Sequence, residues 1–263
     1  MNSKTVTPKR KFGQNFLVNT DVKKKAFAEI DKLLAMYPGF DIVEVGPGQG
    51  DLTQHLAKTG RLVDAIEIDP EAFEVVSGEF DNHKNIQSHL TDAMEELNKT
   101  QNSLFSGDKI LISNLPYNIG SRLLVDLAVV YPDMPFAVIL QNEVARKPLL
   151  QTDFTLFGAW IRLFWGFSYL FRISPGSFYP SPKVFSAMVI GRPVKSDYSQ
   201  AERIKLLQTL KSLVAHPSKT LANNLKNLGM NREAIDKFMK DNKLDINTRL
   251  GWGNYKNILD SLI

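Results

Sequence analysis

Asp41-Ile-Val-Glu-Val-Gly-Pro-Gly-Gln-Gly50 is the stretch whose reading decides the fold. A short apolar run, Ile42 to Val45, ends abruptly in Gly46-Pro47-Gly48-Gln49-Gly50, and a helix-like segment follows from Asp51. Strand, tight glycine turn, helix is the order that lets a backbone approach a ligand closely, because glycine has no Cβ and tolerates positive φ. Glu67 lies 21 residues after Gly46, at the end of a second apolar run, Leu62-Val-Asp-Ala-Ile-Glu-Ile68. An acidic residue at about that distance suits hydrogen bonding to a ribose diol.

No Lys-Ser or Lys-Thr follows the glycines, so the turn is not a phosphate-cradling P-loop. The glycines run G-x-G-x-G rather than G-x-G-x-x-G, which disfavours a dinucleotide. A nucleoside-type cofactor without phosphate fits better, and S-adenosylmethionine is the common one. The plain alternative is an ordinary strand-to-helix turn of another α/β protein, and the placement of Glu67 weighs against it.

Outward from the turn, strand and helix alternate. The expected strands are 41–45, 62–68, 86–90, 109–113, 136–141 and 184–190. The expected helices are 50–59, 70–79, 119–131, 142–150 and 155–166, preceded by one from Asn19-Thr-Asp21 to about Tyr37 that Pro38-Gly39 ends. Alternation of this kind implies a mostly parallel sheet with helices on both faces. Ligands then bind beyond the carboxyl ends of the strands. Three features fall at such ends: Thr91-Asp92-Ala93, Ser113-Asn114-Leu115-Pro116-Tyr117 and Gln141-Asn142-Glu143. Arg192-Pro193 to Ser199 reads as a linker. Helical patterns follow at 200–216, 218–228, 231–240 and 254–262. Two domains are expected: an α/β sheet domain over 1–192 with a basic segment at 1–18, and a small all-helical domain over 199–263.

The 263 residues are 43% apolar and 23% charged, ordinary for a soluble globular protein. There are no cysteines, which excludes disulfides, thiolate metal sites and cysteine nucleophiles. The four histidines, His55, His83, His89 and His216, show no paired spacing, so no metal site is expected. A net charge of +4 is compatible with nucleic acid. Lys4, Lys9, Arg10, Lys11 and Lys23 to Lys25 form basic clusters that are either a nucleic-acid contact or a solvated face. Phe154 to Phe171 has 18 residues and one charge, Arg162, near the minimum for a membrane span. The mid-run arginine, the aromatic and β-branched residues, and Pro175 and Pro180 beyond argue instead for a buried helix leading into a core strand. No signal peptide is visible, and ten residues before Lys11 are too few for a transit peptide. A cytoplasmic, monomeric protein without a membrane segment is expected.

Asn114-Leu115-Pro116-Tyr117 leaves a strand end beside the cofactor turn. An amino group conjugated to a ring is a weak nucleophile, because its lone pair is delocalised. The Asn114 side-chain oxygen and a nearby backbone carbonyl can accept hydrogen bonds from both of its N–H groups, with Pro116 fixing the turn. Tyr117 can stack on the ring, a contact worth roughly 1–3 kcal/mol per base. In-line positioning of a sulfonium methyl can supply about 7–11 kcal/mol of a barrier. No strong base is required, since the methylated amine can lose its proton to solvent. Asp92 either accepts the exocyclic amine of the cofactor's adenine or caps a helix at 93–98. Phe178, between loop prolines, either closes a stacking sandwich around the target base with Tyr117 or packs in the core.

Lys11-Phe-Gly-Gln-Asn-Phe-Leu17, Val43-Glu-Val-Gly-Pro-Gly-Gln-Gly50, Glu67, Asp92-Ala93, Asn114-Leu-Pro-Tyr-Asn-Ile119, Gln141-Asn-Glu-Val144 and Phe178-x-Pro-x-Pro-Lys-Val184 occur in that order. Together they resemble the ribosomal RNA adenine N6,N6-dimethyltransferase family of the kasugamycin-resistance type, to which the erythromycin-resistance methyltransferases are related. The resemblance covers about residues 9–190, and more weakly Ser218-Lys-Thr-Leu-Ala-Asn-Asn-Leu225. It implies a Rossmann-like S-adenosylmethionine-dependent methyltransferase sheet with a small helical domain that docks on RNA or the ribosome. It implies cofactor contacts from Asn15, Leu17, Gly46, Gly48, Glu67, Asp92, Ala93 and Asn114. It implies target-adenine contacts from Asn114, Leu115, Tyr117 and Phe178. The implied reaction dimethylates N6 of two adjacent adenines near the 3′ end of small-subunit (16S) rRNA, on a pre-30S particle during ribosome assembly. Two other readings stand beside it: a large-subunit adenine methyltransferase conferring macrolide resistance, and a non-catalytic RNA-binding or assembly factor on the same fold.

Overall fold

A computed structural model describes residues 6–151, 153–216, 218–245 and 247–262. Among the described residues, nine strands run in chain order: β1 Phe16–Leu17, β2 Asp41–Val45, β3 Val63–Glu67, β4 Ile86–Leu90, β5 Lys109–Asn114, β6 Phe136–Gln141, β7 Trp165–Ile173, β8 Phe178–Tyr179 and β9 Ser186–Pro193. The helices are α1 Thr20–Met36, α2 Asp51–Ala57, α3 Pro70–Phe80, α4 Ala93–Leu97, α5 Gly120–Val130, α6 Asn142–Arg146, α7 Leu156–Phe164, α8 Gln200–Val214, α9 Leu221–Asn227, α10 Arg232–Asp241 and α11 Tyr255–Asp260.

Seven strands form one sheet in the order β4-β3-β2-β5-β6-β9-β7. The five strands from β4 to β6 are parallel, and β9 and β7 close the far edge antiparallel. Strands covered on both faces read as continuous apolar runs, as Phe136–Leu140 does with all five residues buried. The chain builds outward from β2 to β4, then returns to β5 on the other side of β2. The strand order therefore reverses between β2 and β5, and a crevice opens there at the carboxyl ends. Those two ends carry Gly46 and Asn114.

Local signals place the elements around that crevice. Asn19 caps α1 by accepting from the amides of Asp21 and Val22, and Ala26, Ile30, Leu33 and Leu34 form its buried stripe. Asp69 caps α3, with Pro70 in the first turn. One apolar cluster joins the α1 stripe to Ile42, Ile110, Ile112, Ile139, Met188 and Phe178.

Five expectations are corrected. No strand is expected within the basic segment 1–18, yet Phe16–Leu17 pairs antiparallel with Phe178–Tyr179. The helix expected over 142–150 ends at Arg146 and tightens into a 3₁₀ turn, Lys147–Leu149, because Pro148 cannot donate to an α-helical ladder. The helix expected over 155–166 is Leu156–Phe164, and β7 starts at the next residue. That strand is absent from the expected set, and it lies at the sheet edge with its centre only part-buried, not in the core. Its period of two, Trp165-x-Phe167-x-Tyr169-x-Phe171, runs on without a break from the apolar helix before it and is interrupted by a bulge between Tyr169 and Phe171. The strand expected at 184–190 is Ser186–Pro193. The fifth correction concerns the units of packing. One holds the described residues up to Ala145 with Trp165–Pro193; the other holds Arg146–Phe164 with the residues from Val194 on. The expected division had put 146–164 in the sheet domain. Instead the Phe154 ring lies 5.0 Å from that of Trp252 and 5.4 Å from that of Tyr255.

Within the helical unit, Ser199 and Glu202 make a reciprocal capping box at the start of α8. The helix expected from 218 begins at Leu221, after Thr220. No helix among the described residues is long and apolar enough to cross a membrane.

Candidate active site

Gly46, Gly48 and Gly50 have φ of 69°, 60° and 82°. Side chains rarely adopt that region. Space forbids them too. A Cβ on Gly46 would lie 3.1 Å from Pro116 Cγ, and one on Gly48 would lie 2.6 Å from Phe16 Cε1. The turn is therefore packed between the Asn114-Leu-Pro-Tyr turn and the N-terminal strap. Beside it opens a cleft of ≈ 940 Å³ bounded by Gly46, Gly48, Glu67, Asp92, Ala93 and Asn114 through Ile119.

Glu67 ends β3 on the cleft wall and is 4% exposed. One carboxylate oxygen accepts from the Gly48 amide at 3.3 Å, and the other from the amides of Ile68 and Asp69 at 3.0 and 2.9 Å. Burial pushes its pKa up, and these three amide bonds hold the rise back. Asp92 does cap α4, accepting from the Met94 amide at 2.8 Å. It also lines the cleft, so capping α4 does not remove it from the cleft wall.

Asn114 carries the most informative geometry. Its Nδ2 donates to the Asn15 carbonyl at 2.8 Å. Its Oδ1 is buried with no hydrogen-bond partner. A buried amide oxygen left unpaired costs about 1–3 kcal/mol, so one is retained where a partner arrives later. The Leu115 amide donates to the Ile139 carbonyl at 3.0 Å, which locks the turn to β6. The Tyr117 amide donates to Gly13 at 3.4 Å, and its hydroxyl bonds the Ser186 hydroxyl. Burial raises the Tyr117 pKa, with Ser186 opposing, so the ring stays neutral.

The strap from Lys9 to Leu17 closes the cleft from above. Lys9 Nζ bonds Asp69 at 2.6 Å and Glu71 at 2.9 Å, and Gln14 Nε2 donates to Asp69 at 3.1 Å. Asp69 is buried, which alone would raise its pKa; the bonds from Lys9 and Gln14 bring it below the usual carboxylate range. Asn15 lines the cleft. Leu17 does not; it borders an adjoining, mostly apolar cavity of ≈ 590 Å³ that meets the cleft at Phe16, Gly46 and Asn114. Phe178 borders neither. It is 3% exposed and sits in the core cluster, paired with Leu17.

The sequence reading gave Glu44, Gln14 and Ser186 no role, and it placed Lys9 in a basic cluster that is either a nucleic-acid contact or a solvated face, whereas Lys9 is ion-paired with Asp69 and Glu71. Glu44 is 1% exposed, lines the second cavity, and bonds the Thr53 hydroxyl at 2.7 Å. Burial pushes its pKa up to about 8, against the Thr53 bond and with a small push from Glu67. An acidic residue inside an apolar strand, two residues before the glycine turn, was the available signal.

The set suits a nucleoside cofactor: a carboxylate at a strand end, a glycine turn, and an unpaired buried acceptor on Asn114, a residue that lines the same cleft. The sequence matches the ribosomal RNA adenine dimethylase family over residues 6–263. It is 32% identical over 254 residues to ribosomal RNA small subunit methyltransferase A of Pseudomonas savastanoi pv. phaseolicola, covering 90% of each chain. It is 32% identical over 228 residues to the protein of that name from Chlamydia muridarum, covering 84% of this chain and 79% of the relative. The fold is similar to that of the 23S rRNA methyltransferase ErmE, with TM-score 0.65, 20% identity, and coverage of 94% of this chain and 99% of the other. It is also similar to a dimethyladenosine transferase from Plasmodium falciparum, with TM-score 0.64, 22% identity, and coverage of 94% and 89%. These matches and the Rossmann-like crevice identify the chain as a member of the ribosomal RNA adenine dimethylase family, the rRNA adenine N6,N6-dimethyltransferases.

Proposed function

We propose that this chain transfers methyl groups from S-adenosylmethionine to N6 of two adjacent adenines near the 3′ end of small-subunit rRNA. It does so as a monomer in the cytoplasm, on a pre-30S particle. The observation that carries the reading is the unpaired, buried Oδ1 of Asn114 at the strand-order reversal.

Glu67 accepts from the ribose hydroxyls, and Asp92 and Ala93 bracket the adenine of the cofactor. The glycine turn and Asn15 border the amino-acid end. When bound, S-adenosylmethionine supplies a methyl group on a positively charged sulfur. Asn114 Oδ1 accepts one N–H of the target amine, and a carbonyl of the Asn114–Pro116 turn accepts the other. Both bonds orient the nitrogen lone pair toward the cofactor side of the cleft. Tyr117, held by Ser186, stacks on the target ring, which must first leave its own stack. Asn114 has no proton to take up, so the proton of the methylated amine leaves to water.

Phe178 reaches the target base only if β8 shifts, since it is buried in this structure. The helical unit docks on rRNA. Residues 200–263 carry 11 Lys and Arg against 6 Asp and Glu, an excess that suits a phosphate backbone.

Labelled S-adenosylmethionine offered with under-methylated small subunits, and separately with protein-free large-subunit RNA, tests the reading. Label in dimethyladenine of the small subunit is expected. Label confined to large-subunit RNA would move the chain to the macrolide-resistance reaction. Label in neither, with small-subunit binding intact, would leave a non-catalytic assembly factor.

A further inference from the structure

At 60% exposure, Tyr179 is the most exposed of the large apolar side chains among the described residues. It follows the buried Phe178 in β8, so the pleat sends one ring into the core and the next outward. Its antiparallel partner is Phe16, whose ring lies against Gly48 and borders the cleft. Strand partners hold their Cβ atoms about 4.5–5.5 Å apart, so Tyr179 is fixed at the rim of the cleft.

The same loop continues with exposed charge and a second ring. Lys183 is exposed. Phe185 is 41% exposed, with the Arg172 guanidinium 4.3 Å from its ring centroid. Ring, cation, then ring under cation is the surface that unpaired nucleotides favour: faces for bases and charge for phosphates.

Extruding one base strips its neighbour of a stacking face. We propose that Tyr179 is the stacking platform for the unpaired nucleotide next to the target adenine, with Lys183 and Arg172 neutralising the phosphates beside it. This rests on the reading of the target as ribosomal RNA. Where the two target adenines are adjacent, the nucleotide on Tyr179 is the other target, held unstacked while its partner occupies the cleft.

The test uses the whole chain as wild type, Y179A and Y179F. Binding is measured by fluorescence anisotropy with a synthetic RNA hairpin carrying two adjacent unpaired adenines. The KM for methyl transfer is measured on under-methylated small subunits. Y179A is expected to weaken hairpin binding and raise KM by about tenfold, because stacking is lost. Y179F keeps the ring and restores both values. Cofactor affinity and thermal midpoint are the controls for folding. Equal hairpin affinity of wild type and Y179A overturns the proposal, and so does failure of wild type to bind the hairpin. A defect seen on subunits but not on the hairpin also overturns it, in favour of a protein contact. Hairpin binding without methyl transfer by wild type would sink the proposed reaction, and the comparison of Y179A with wild type would still decide the role of Tyr179.

Discussion

Asn114, Glu67 and Glu44 show three ways a buried polar group is held near one cleft. Asn114 Oδ1 is unpaired, Glu67 is tied to three amides, and Glu44 keeps its proton. The positions of Asn114 and Glu67 at strand ends on one cleft were legible in the sequence, because they follow from the strand pattern and spacing. Glu44 was not, because its burial depends on α1 and α2 packing over β2. Replacing Glu67 by Ala is expected to weaken S-adenosylmethionine binding about tenfold or more, through loss of a charged acceptor; calorimetry showing unchanged affinity would remove the ribose contact. Glu44 gives a pH effect of definite sign. In the unfolded chain it ionises near its ordinary value of 4.5, but in the fold only near 8. Between those values the folded chain holds the extra proton, so this group's contribution to stability falls as pH rises. Thermal midpoints from pH 5 to 8 should therefore decline less steeply for E44Q than for wild type, and parallel curves would contradict the assignment.

Elements were most legible where the chain is parallel and buried, and least at the edges. β2, with its turn, lies where the apolar run stops at Gly46. The strap was not legible, since two-residue strands carry no period; β7 alternates aromatic residues with Gly166, Ser168, Leu170 and Arg172, but that run continues the apolar helix before it, which masks where the strand begins. Phe178 illustrates the same limit: a proline-flanked aromatic suits a stacking loop or a core position, and only pairing with Leu17 placed it inside. The strap is joined to α3 through Lys9 on Asp69 and Glu71. Since strap residues border the cleft, opening this latch should speed cofactor release. K9A is expected to raise the cofactor dissociation rate severalfold in stopped-flow displacement while the thermal midpoint barely moves. An unchanged dissociation rate would mean that the strap does not gate the site.

For the whole molecule, the division of labour follows charge. The helical end carries a positive excess, whereas the entire chain is only +4, so the remainder is slightly acidic. The sequence reading looked to the basic clusters at Lys4 to Lys11 and Lys23 to Lys25, and the excess at the helical end emerges only when charge is summed by unit; the assignment of Arg146–Phe164 to the helical unit was not legible, because it rests on ring contacts with residues about a hundred positions away. Lys237 and Lys240 are exposed on α10. Replacing both by Ala should weaken binding to small subunits, reduce its salt slope by about one to two, and leave cofactor affinity unchanged. A slope equal to wild type would take this helix off the RNA. On the proposed reaction, all of these contacts serve one event, the presentation of an adenine amine to Asn114. The most direct test is methyl transfer by N114A on intact under-methylated small subunits, with both substrates saturating. The account predicts a loss of about 10²-fold or more, the scale for removing one positioned hydrogen-bonding group, with the thermal midpoint preserved. Turnover within a few-fold of wild type would contradict it.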